Sequence, residues 1–263
     1  MSAPEPLAFT ASPPASPWLP YPPRPAGGRL RLFCFPHSGA GASAYACWRR
    51  ALASAEVCPV ELPGHGRRLG EPRLCRMESL VRGAVGALLP FLRPPFALFG
   101  HSLGALVAFE VARTLEREHQ LSPAVLIASG HGAPQLARPR ESLHALSEPE
   151  LVARIERMGG TPAGVLTHPE LRALFVPVLR ADLELGETYA YRPGPPLACP
   201  VSALGGLDDD EVGWTELEGW REQTRGGWKL RMLPGGHFFP FAHGSGALAA
   251  LAEDLGGLAR GVT

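Results

Sequence analysis

The chain has 263 residues, of which 45% are hydrophobic, so it is long enough to bury the core of one large domain. Its 25 basic and 25 acidic residues give a formal net charge of zero, which offers no electrostatic reason to expect a nucleic acid partner. No apolar run reaches the length of a membrane span and no signal peptide pattern opens the chain, so we expect a cytoplasmic protein without a membrane partner.

The N-terminal residues differ from the rest because proline, serine and alanine recur in them. Such a composition favours an extended chain, and we predict a mobile leader over residues 1–27 and a single domain over residues 28–263. The five cysteines show no paired spacing, so we expect reduced thiols in the core: Cys34, Cys47, Cys58, Cys75 and Cys199.

Short apolar runs bounded by glycine or proline predict six strands, at Leu30–Phe35, Val57–Glu61, Phe96–Phe99, Ala124–Ser129, Pro200–Leu204 and Trp228–Leu233. Helical patterns lie between most of these runs. Strands that alternate with helices favour an α/β fold, with a mainly parallel central sheet and helices on both faces.

The alternation stops between about residues 141 and 191, where only helical patterns occur. Capping-box patterns at Ser147–Glu150 and Thr167–Glu170 predict the beginnings of two helices there. A helical block inserted between two strands of such a sheet needs a surface for its apolar faces, and the mouth of the sheet is available. We therefore predict a helical lid over the active site, with an outer layer of the core as the alternative.

A Gly-x-Ser-x-Gly pattern occupies Gly100–Gly104, directly between a predicted strand and an apolar helical run. This context is typical of a nucleophile elbow, in which a strained turn exposes a serine at the positive end of a helix. We therefore predict Ser102 as the nucleophile, with Gly100 and Gly104 leaving room for close packing. The alternative is an ordinary strand, turn and helix with a serine N-cap.

A nucleophilic serine needs a histidine base and an acid that orients it, and in this architecture the chain order is Ser, Asp or Glu, His. Among the later histidines, only His237 stands on a glycine-flanked turn directly after the last predicted strand. The acid is expected within Asp208–Asp210, at the end of the preceding strand, and the pattern alone does not choose among the three. Since the spacing of a calcium loop or a zinc site is missing, we expect no metal and no cofactor.

The glycine-rich loop His37–Ser43 follows the first predicted strand. A serine hydrolase of this architecture supplies an oxyanion donor from such a loop, through a main-chain N–H that bulky residues could not bring close. Ser38 is the candidate donor, and a plain glycine-rich turn is the alternative.

A run of basic residues follows the second predicted strand and has only Glu71 to offset it: Arg67, Arg68, Arg73 and Arg76. A solvated loop is the favoured interpretation. The alternative is a docking patch for an acidic partner.

Taken in order, five motifs resemble those of the type II thioesterases, the stand-alone α/β hydrolases that accompany modular polyketide synthases and nonribosomal peptide synthetases. The motifs are Cys34–Gly39, Leu62–Gly66, Gly100–Gly104, Gly206–Asp209 and Gly235–Phe239. The match covers about residues 30–258. The resemblance implies the α/β-hydrolase fold and hydrolysis of acyl groups from the phosphopantetheine arm of acyl or peptidyl carrier proteins.

Carried over residue by residue, the resemblance implies Ser102 as nucleophile, His237 as base and Asp209 as acid. It also implies an oxyanion hole made of the Ser38 and Leu103 main-chain N–H groups. At Ser38–Gly41 the chain departs from the Ala-Gly-Gly-Ser that is commoner in the family, and we expect little effect because the donor is a main-chain group.

Three alternatives remain open at this stage. A chain-releasing thioesterase cut from a larger synthase or a general carboxylesterase would use the same chemistry, and a silent hydrolase fold would bind an acyl carrier without turnover. Because no carrier-protein sequence precedes residue 28, we expect a discrete protein, and we expect it to be a monomer.

Overall fold

A computed structural model describes residues 15–24, 29–93, 95–136, 142–161 and 163–259. Its described part contains one sheet of six parallel strands in the order β2-β1-β3-β4-β5-β6. The strands are β1 Arg31–Phe35, β2 Glu56–Pro59, β3 Phe96–His101, β4 Val125–Ser129, β5 Val201–Gly206 and β6 Trp228–Leu233. The predicted parallel α/β sheet is therefore confirmed, with each strand within two residues of its expected bounds.

The α-helices are α1 Trp48–Ala51, α2 Met77–Leu88, α3 Leu103–His119, α4 Glu148–Met158, α5 Ala163–Thr167, α6 Pro169–Glu187, α7 Trp214–Glu218 and α8 Ala247–Ala259. Short 3₁₀ turns join several of them. Parallel strands need such crossovers, and the connections put helices against the sheet.

The sheet is covered on both faces, as predicted. Side chains alternate along each strand, so Phe33 and Phe35 of β1 pack in one apolar cluster while Leu32 and Cys34 pack in the other. The first cluster includes residues of α2 and α3, and the second includes residues of α1 and α8. The carboxyl ends of the strands are thus left as the open edge where loops can assemble a site.

Helices α4, α5 and α6 and the 3₁₀ turn Leu143–Ala145 form what we call the helical block. Its apolar residues make a third, smaller cluster of their own: Leu151, Ile155, Leu166, Val176 and Leu179. The capping box at Ser147–Glu150 is present, as predicted. The second predicted capping box is wrong, because Thr167 ends α5 and His168 is the N-cap of α6.

The N-terminal segment 15–24 packs on the body of the domain. Trp18 and Leu19 are 7% and 2% exposed and belong to the first cluster. The Trp18 carbonyl accepts a hydrogen bond of 2.9 Å from the Glu61 N–H, and the Arg68 guanidinium lies 4.5 Å from the Trp18 ring centroid. The expectation of a mobile leader is therefore not met at residues 15–24, because tryptophan and leucine found apolar surface to bury; residues 1–14 and 25–28 lie outside the described residues.

The cysteines differ in burial although all five are free. Cys34, Cys58 and Cys199 are buried, as expected for core thiols, and burial raises the pKa of Cys199 to about 12. The expectation of core positions is wrong for Cys47, which is exposed, and for Cys75, which is half-buried. None of the described helices is long and apolar enough to cross a bilayer.

Candidate active site

The turn between β3 and α3 is strained at one residue. Ser102 has φ +53° and ψ −123°, a conformation that non-glycine residues rarely adopt. A Cβ at Gly100 would overlap the Gly104 carbonyl, and a Cβ at Gly104 would overlap the Phe35 carbonyl. Because both obstacles are main chain, glycine is required at both positions, and the predicted sharp turn with Ser102 at its tip is present.

Asp209 and His237 lie on the loops that follow β5 and β6, and the structure brings them together. The His237 Nδ1 and the Asp209 Oδ2 are 2.9 Å apart. Since a carboxylate oxygen can only accept, Nδ1 carries the hydrogen, and this leaves the Nε2 of a neutral ring as an acceptor.

Within the acidic cluster, burial separates the three candidates. The side chains of Asp208 and Asp210 belong to exposed residues, whereas the Asp209 side chain has no exposed surface. The Asp209 Oδ1 accepts the main-chain N–H groups of Glu211 and Val212 at 2.8 and 3.3 Å. These bonds and His237 satisfy the buried carboxylate, so Asp209 alone of the three is held on the imidazole.

A cavity of about 1540 Å³ opens at the carboxyl edge of the sheet. Ser102 and His237 line it, as do Ser38 and Leu103, the two residues expected to supply the oxyanion donors. Leu103 is the first residue of α3, and the N–H groups of a first helical turn have no partner within the helix. All the predicted site residues that could face substrate are therefore in one cavity.

The helical block supplies the opposite wall of this cavity, through residues that include Ile155, Met158, Phe175 and Leu179. A Cβ at Gly160 would overlap the Phe238 ring, so the α4–α5 connection rests on the residue that follows His237 in the chain. The block therefore lines the same cavity as Ser102 and His237, and its action as a lid stays a prediction.

Two further imidazoles surround His237, and sequence reasoning gave them no role. The His101 ring centroid lies 5.2 Å from that of His237, and the His37 ring packs edge-on to His101 at 5.7 Å. Burial, with a smaller contribution from His237, lowers the pKa of His37 to about 4, and burial lowers the pKa of His101 well below its ordinary value. Both rings are therefore neutral near pH 7 and place no positive charge against His237.

Asp182 lies on α6 of the helical block, where the sequence gives it no role, yet it reaches the site. Its Oδ2 accepts the Gly39 N–H at 2.7 Å and lies 2.9 Å from the His65 Nε2. The partners are separated by 143 and 117 residues, so no local pattern could have paired them.

The arginine run is not a uniform exposed patch. Arg68 is 8% exposed, its guanidinium pairs with Glu71 at 2.6 and 2.9 Å, and it donates to the Glu61 carbonyl. The alternative of a four-arginine docking patch is therefore wrong for Arg68, which has a structural role, while Arg67, Arg73 and Arg76 are exposed. Among the described residues, no group of three His, Cys, Asp or Glu side chains is arranged to hold a metal ion.

Comparison with known proteins places this geometry in a family. The family described as "Thioesterase domain" matches residues 30–256. Thioesterase PikA5 of Streptomyces venezuelae is 42% identical over 212 residues, which cover 80% of this chain and 75% of that protein. Gramicidin S biosynthesis protein GrsT of Aneurinibacillus migulanus is 38% identical over 212 residues, with 80% and 83% covered.

A solved structure gives the same result in three dimensions. The type II thioesterase BorB from the borrelidin biosynthetic cluster superposes with a TM-score of 0.80 at 38% identity, over 88% of this chain and 95% of that one. Similarity at this level, over nearly the whole domain, covers both the sheet and the helical block. The chain therefore belongs to the thioesterase domain family, and its predicted resemblance to the type II thioesterases is confirmed.

Proposed function

We propose that this enzyme hydrolyses acyl groups from the phosphopantetheine arm of acyl or peptidyl carrier proteins and so clears stalled or misloaded chains from polyketide or nonribosomal peptide assembly lines. Of the similar proteins named above, GrsT is a gramicidin S biosynthesis protein and BorB is a type II thioesterase from the borrelidin biosynthetic cluster. The observation that carries the chemistry is the 2.9 Å bond between His237 and the buried Asp209, in a cavity that Ser102 also lines.

The reaction has two acyl-transfer steps. In the first, the Ser102 Oγ attacks the thioester carbonyl carbon while the His237 Nε2 takes the hydroxyl proton. The carbon–sulfur bond then breaks, the pantetheine sulfur leaves with the proton from His237, and an acyl ester remains on Ser102. In the second step, water gives a proton to His237 and attacks the ester; the acid leaves and Ser102 recovers its proton.

Asp209 has two effects on this sequence. Its carboxylate fixes the tautomer of His237 with Nε2 free, and it stabilises the imidazolium that forms in each step. The neutral His37 and His101 rings favour the same cycle, because a permanent cation beside His237 would oppose its protonation.

The negative oxygen that develops on the substrate needs donors in place before the reaction begins. The main-chain N–H groups of Ser38 and Leu103 supply them, and Leu103 adds the positive end of α3. Such donors act mainly in the transition state, so they raise kcat more than they lower KM.

Replacing Ser102 by Ala tests the proposal. We expect turnover of an acyl-pantetheine thioester to fall on the order of 10⁶-fold, and labelling by a serine-directed phosphonate to disappear. Ser129→Ala is the matched control, since Ser129 is buried behind the site on β4, with its hydroxyl 3.1 Å from the His101 Nδ1. Retained labelling in the Ser102 variant would refute the assignment.

The substrate class requires a second experiment. We expect kcat/KM to be highest for an acyl group on a carrier protein, lower for the same acyl group on free pantetheine, and lowest for its oxygen ester. A preference for oxygen esters would favour the carboxylesterase alternative, and cyclised or released full-length products would favour a chain-releasing enzyme. No turnover of any of them would indicate the silent carrier-binding fold.

A further inference from the structure

The loop that carries the proposed oxyanion donor Ser38 is a tight turn with one exceptional residue. The Ala40 N–H donates to the His37 carbonyl at 3.0 Å, and Gly39 has φ +77°. A four-residue turn with positive φ at its third position is of type II. Its central amide, formed here by the Ser38 carbonyl and the Gly39 N–H, is rotated by about half a turn relative to type I. The direction of the Gly39 N–H therefore distinguishes the two conformations of this loop.

Two buried carboxylates hold this loop, and they come from different parts of the molecule. Glu61, which follows β2, accepts the Ala42 N–H at 2.9 Å. Asp182, from α6 of the helical block, accepts the Gly39 N–H at 2.7 Å. In the flipped turn the Ser38 carbonyl would face the Asp182 carboxylate, and the repulsion between oxygens disfavours that conformation.

Asp182 is 4% exposed, so its charge needs a partner. His65 supplies it: the His65 Nε2 lies 2.9 Å from the Asp182 Oδ2, and the Nδ1 lies 3.1 Å from the Pro63 carbonyl oxygen. Because both ring nitrogens face acceptors, both carry hydrogen, and the ring is an imidazolium. The ion pair with His65 therefore holds the Asp182 carboxylate in place against the Gly39 N–H.

From this geometry we infer that Asp182 is a positioning residue: by holding the Gly39 N–H it anchors the His37–Ala40 turn and so fixes the place from which the neighbouring Ser38 N–H meets the reacting oxygen. The inference rests on the proposed function, because it assumes an oxyanion at Ser38. It also makes the oxyanion hole depend on the docking of α6. A displaced helical block would release Gly39, and the turn would lose the anchor that fixes the position of Ser38.

The position of Asp182 along α6 agrees with this coupling. Leu179, one turn before it, belongs to the cluster of the helical block, whereas Leu185, one turn after it, belongs to the first cluster, which packs on the sheet. Gly186 lies against the Leu103 side chain, beside the second proposed donor. Asp182 therefore marks the place where α6 passes from the block to the body of the domain.

The test compares four variants by kcat, KM and thermal unfolding on an acyl-pantetheine thioester. In Asp182→Ala, Gly39 loses its acceptor, and we expect kcat to fall more than tenfold while KM changes less than threefold. Asp182→Asn keeps an acceptor oxygen without the charge, and we expect it to recover most of that loss. Asp254→Asn is the control. Asp254 is also a buried carboxylate with partners on other elements, but neither it nor those partners line the cavity: Ser202, Lys229 and Arg231.

A double variant separates positioning from stability, because Asp182→Ala alone leaves a buried imidazolium without its partner and can fail to fold. Asp182→Ala combined with His65→Gln removes both charges. We expect this protein to be more stable than the single variant and its kcat to be just as low. The inference is overturned if its kcat stays within tenfold of the wild type, or if KM carries the loss.

The failure of this inference differs from the failure of the proposed function. If Ser102→Ala is inactive while the double variant keeps its kcat, only the positioning role is wrong. If Ser102→Ala keeps its activity, the nucleophile itself is wrong.

Discussion

One wall of the cavity is the edge of the parallel sheet, and the other is the helical block. The sheet wall is held by strand ladders and by two large apolar clusters, and the Ser102 N–H itself bonds to the Ser129 carbonyl of the next strand at 2.8 Å. The block has a small cluster of its own and meets the sheet wall through polar contacts such as Asp182 and the Arg154–Glu211 pair. The reacting groups thus lie on the wall that the strand ladders and the two large clusters hold, while the wall facing them has a smaller apolar cluster of its own.

The largest expected effect is on the sheet wall. Asp209→Asn removes the charge that stabilises the His237 imidazolium and can reverse the tautomer, so we expect kcat to fall about 10⁴-fold. Asp208→Asn and Asp210→Asn, at exposed neighbouring positions, are matched controls that should change kcat by less than threefold. Steady-state kinetics on an acyl-pantetheine thioester measure all three. A larger loss in Asp208→Asn would move the acid to that residue.

The next effect tests the rigidity of the same wall. Gly104→Ala puts a Cβ on the main-chain carbonyl of Phe35, which cannot move without breaking the β1–β3 ladder, so we expect a loss of about 1–3 kcal/mol in unfolding free energy. Gly86→Ala on the exposed side of α2 meets no atom within 4 Å and should stabilise by about 0.5–1 kcal/mol. Denaturant unfolding of both variants gives the comparison. Equal stabilities would mean that the turn is less crowded than the structure has it.

The third prediction concerns the junction between the two walls and depends on pH. Burial lowers the pKa of His65, but the hydrogen bond and charge of Asp182, the Pro63 carbonyl and the charge of Glu61 raise it more, so the net pKa is above its ordinary value. A raised folded-state pKa contributes stability that is fully present below about pH 6.5 and is lost as pH rises through the folded value.

The measurement for this prediction is the difference in Tm between the wild type and His65→Gln. We expect that difference to be larger at pH 6 than at pH 9, since only the wild type has the protonated ring. A difference that grows with pH would show that His65 is neutral in the folded protein.

The smallest effect is on the block itself. Arg154 of α4 lies 3.2 Å from Glu211, and the two side chains are 31% and 24% exposed, so Arg154→Ala should cost less than about 1 kcal/mol. Arg231→Ala on β6 is the contrasting variant, because it removes a 2.7 Å partner from the buried Asp254 and should cost more. Thermal unfolding of both variants compares the stability that each ion pair contributes. A larger loss in Arg154→Ala would contradict the view that the block is weakly held.

The same contrast explains what could be predicted from sequence. The strands, the elbow and the position of His237 follow from local patterns: apolar runs, glycines at fixed offsets and a turn after a strand. The choice of Asp209 among three neighbours came from family resemblance, because consecutive aspartates have no local feature that separates them. Burial separates them in the folded chain.

The residues that sequence reasoning missed depend on distant partners. In the sequence Asp182 is one acidic residue of a helical segment, and only the docking of α6 brings it to the Gly39 turn. Arg68 has the pattern of a surface charge, and only the folded chain places it against Trp18. At Thr167 the local signal was misleading, since the capping pattern was present but α5 already used that residue. Local patterns therefore predict elements better than they predict how the elements are joined.

The docked N-terminal segment has a consequence for how the domain behaves outside its reaction. β2 is an edge strand, and the chain just beyond it is bonded to the Trp18 carbonyl through the Glu61 N–H. Exposed sheet edges are templates for self-association. The N-terminal segment takes up one hydrogen-bonding position just beyond this edge, and its Trp18 and Leu19 side chains bury part of the first apolar cluster. A shortened chain that begins at β1 would keep every reacting group but would expose the apolar surface that Trp18 and Leu19 bury. We expect it to turn over substrate but to aggregate more readily than the full chain.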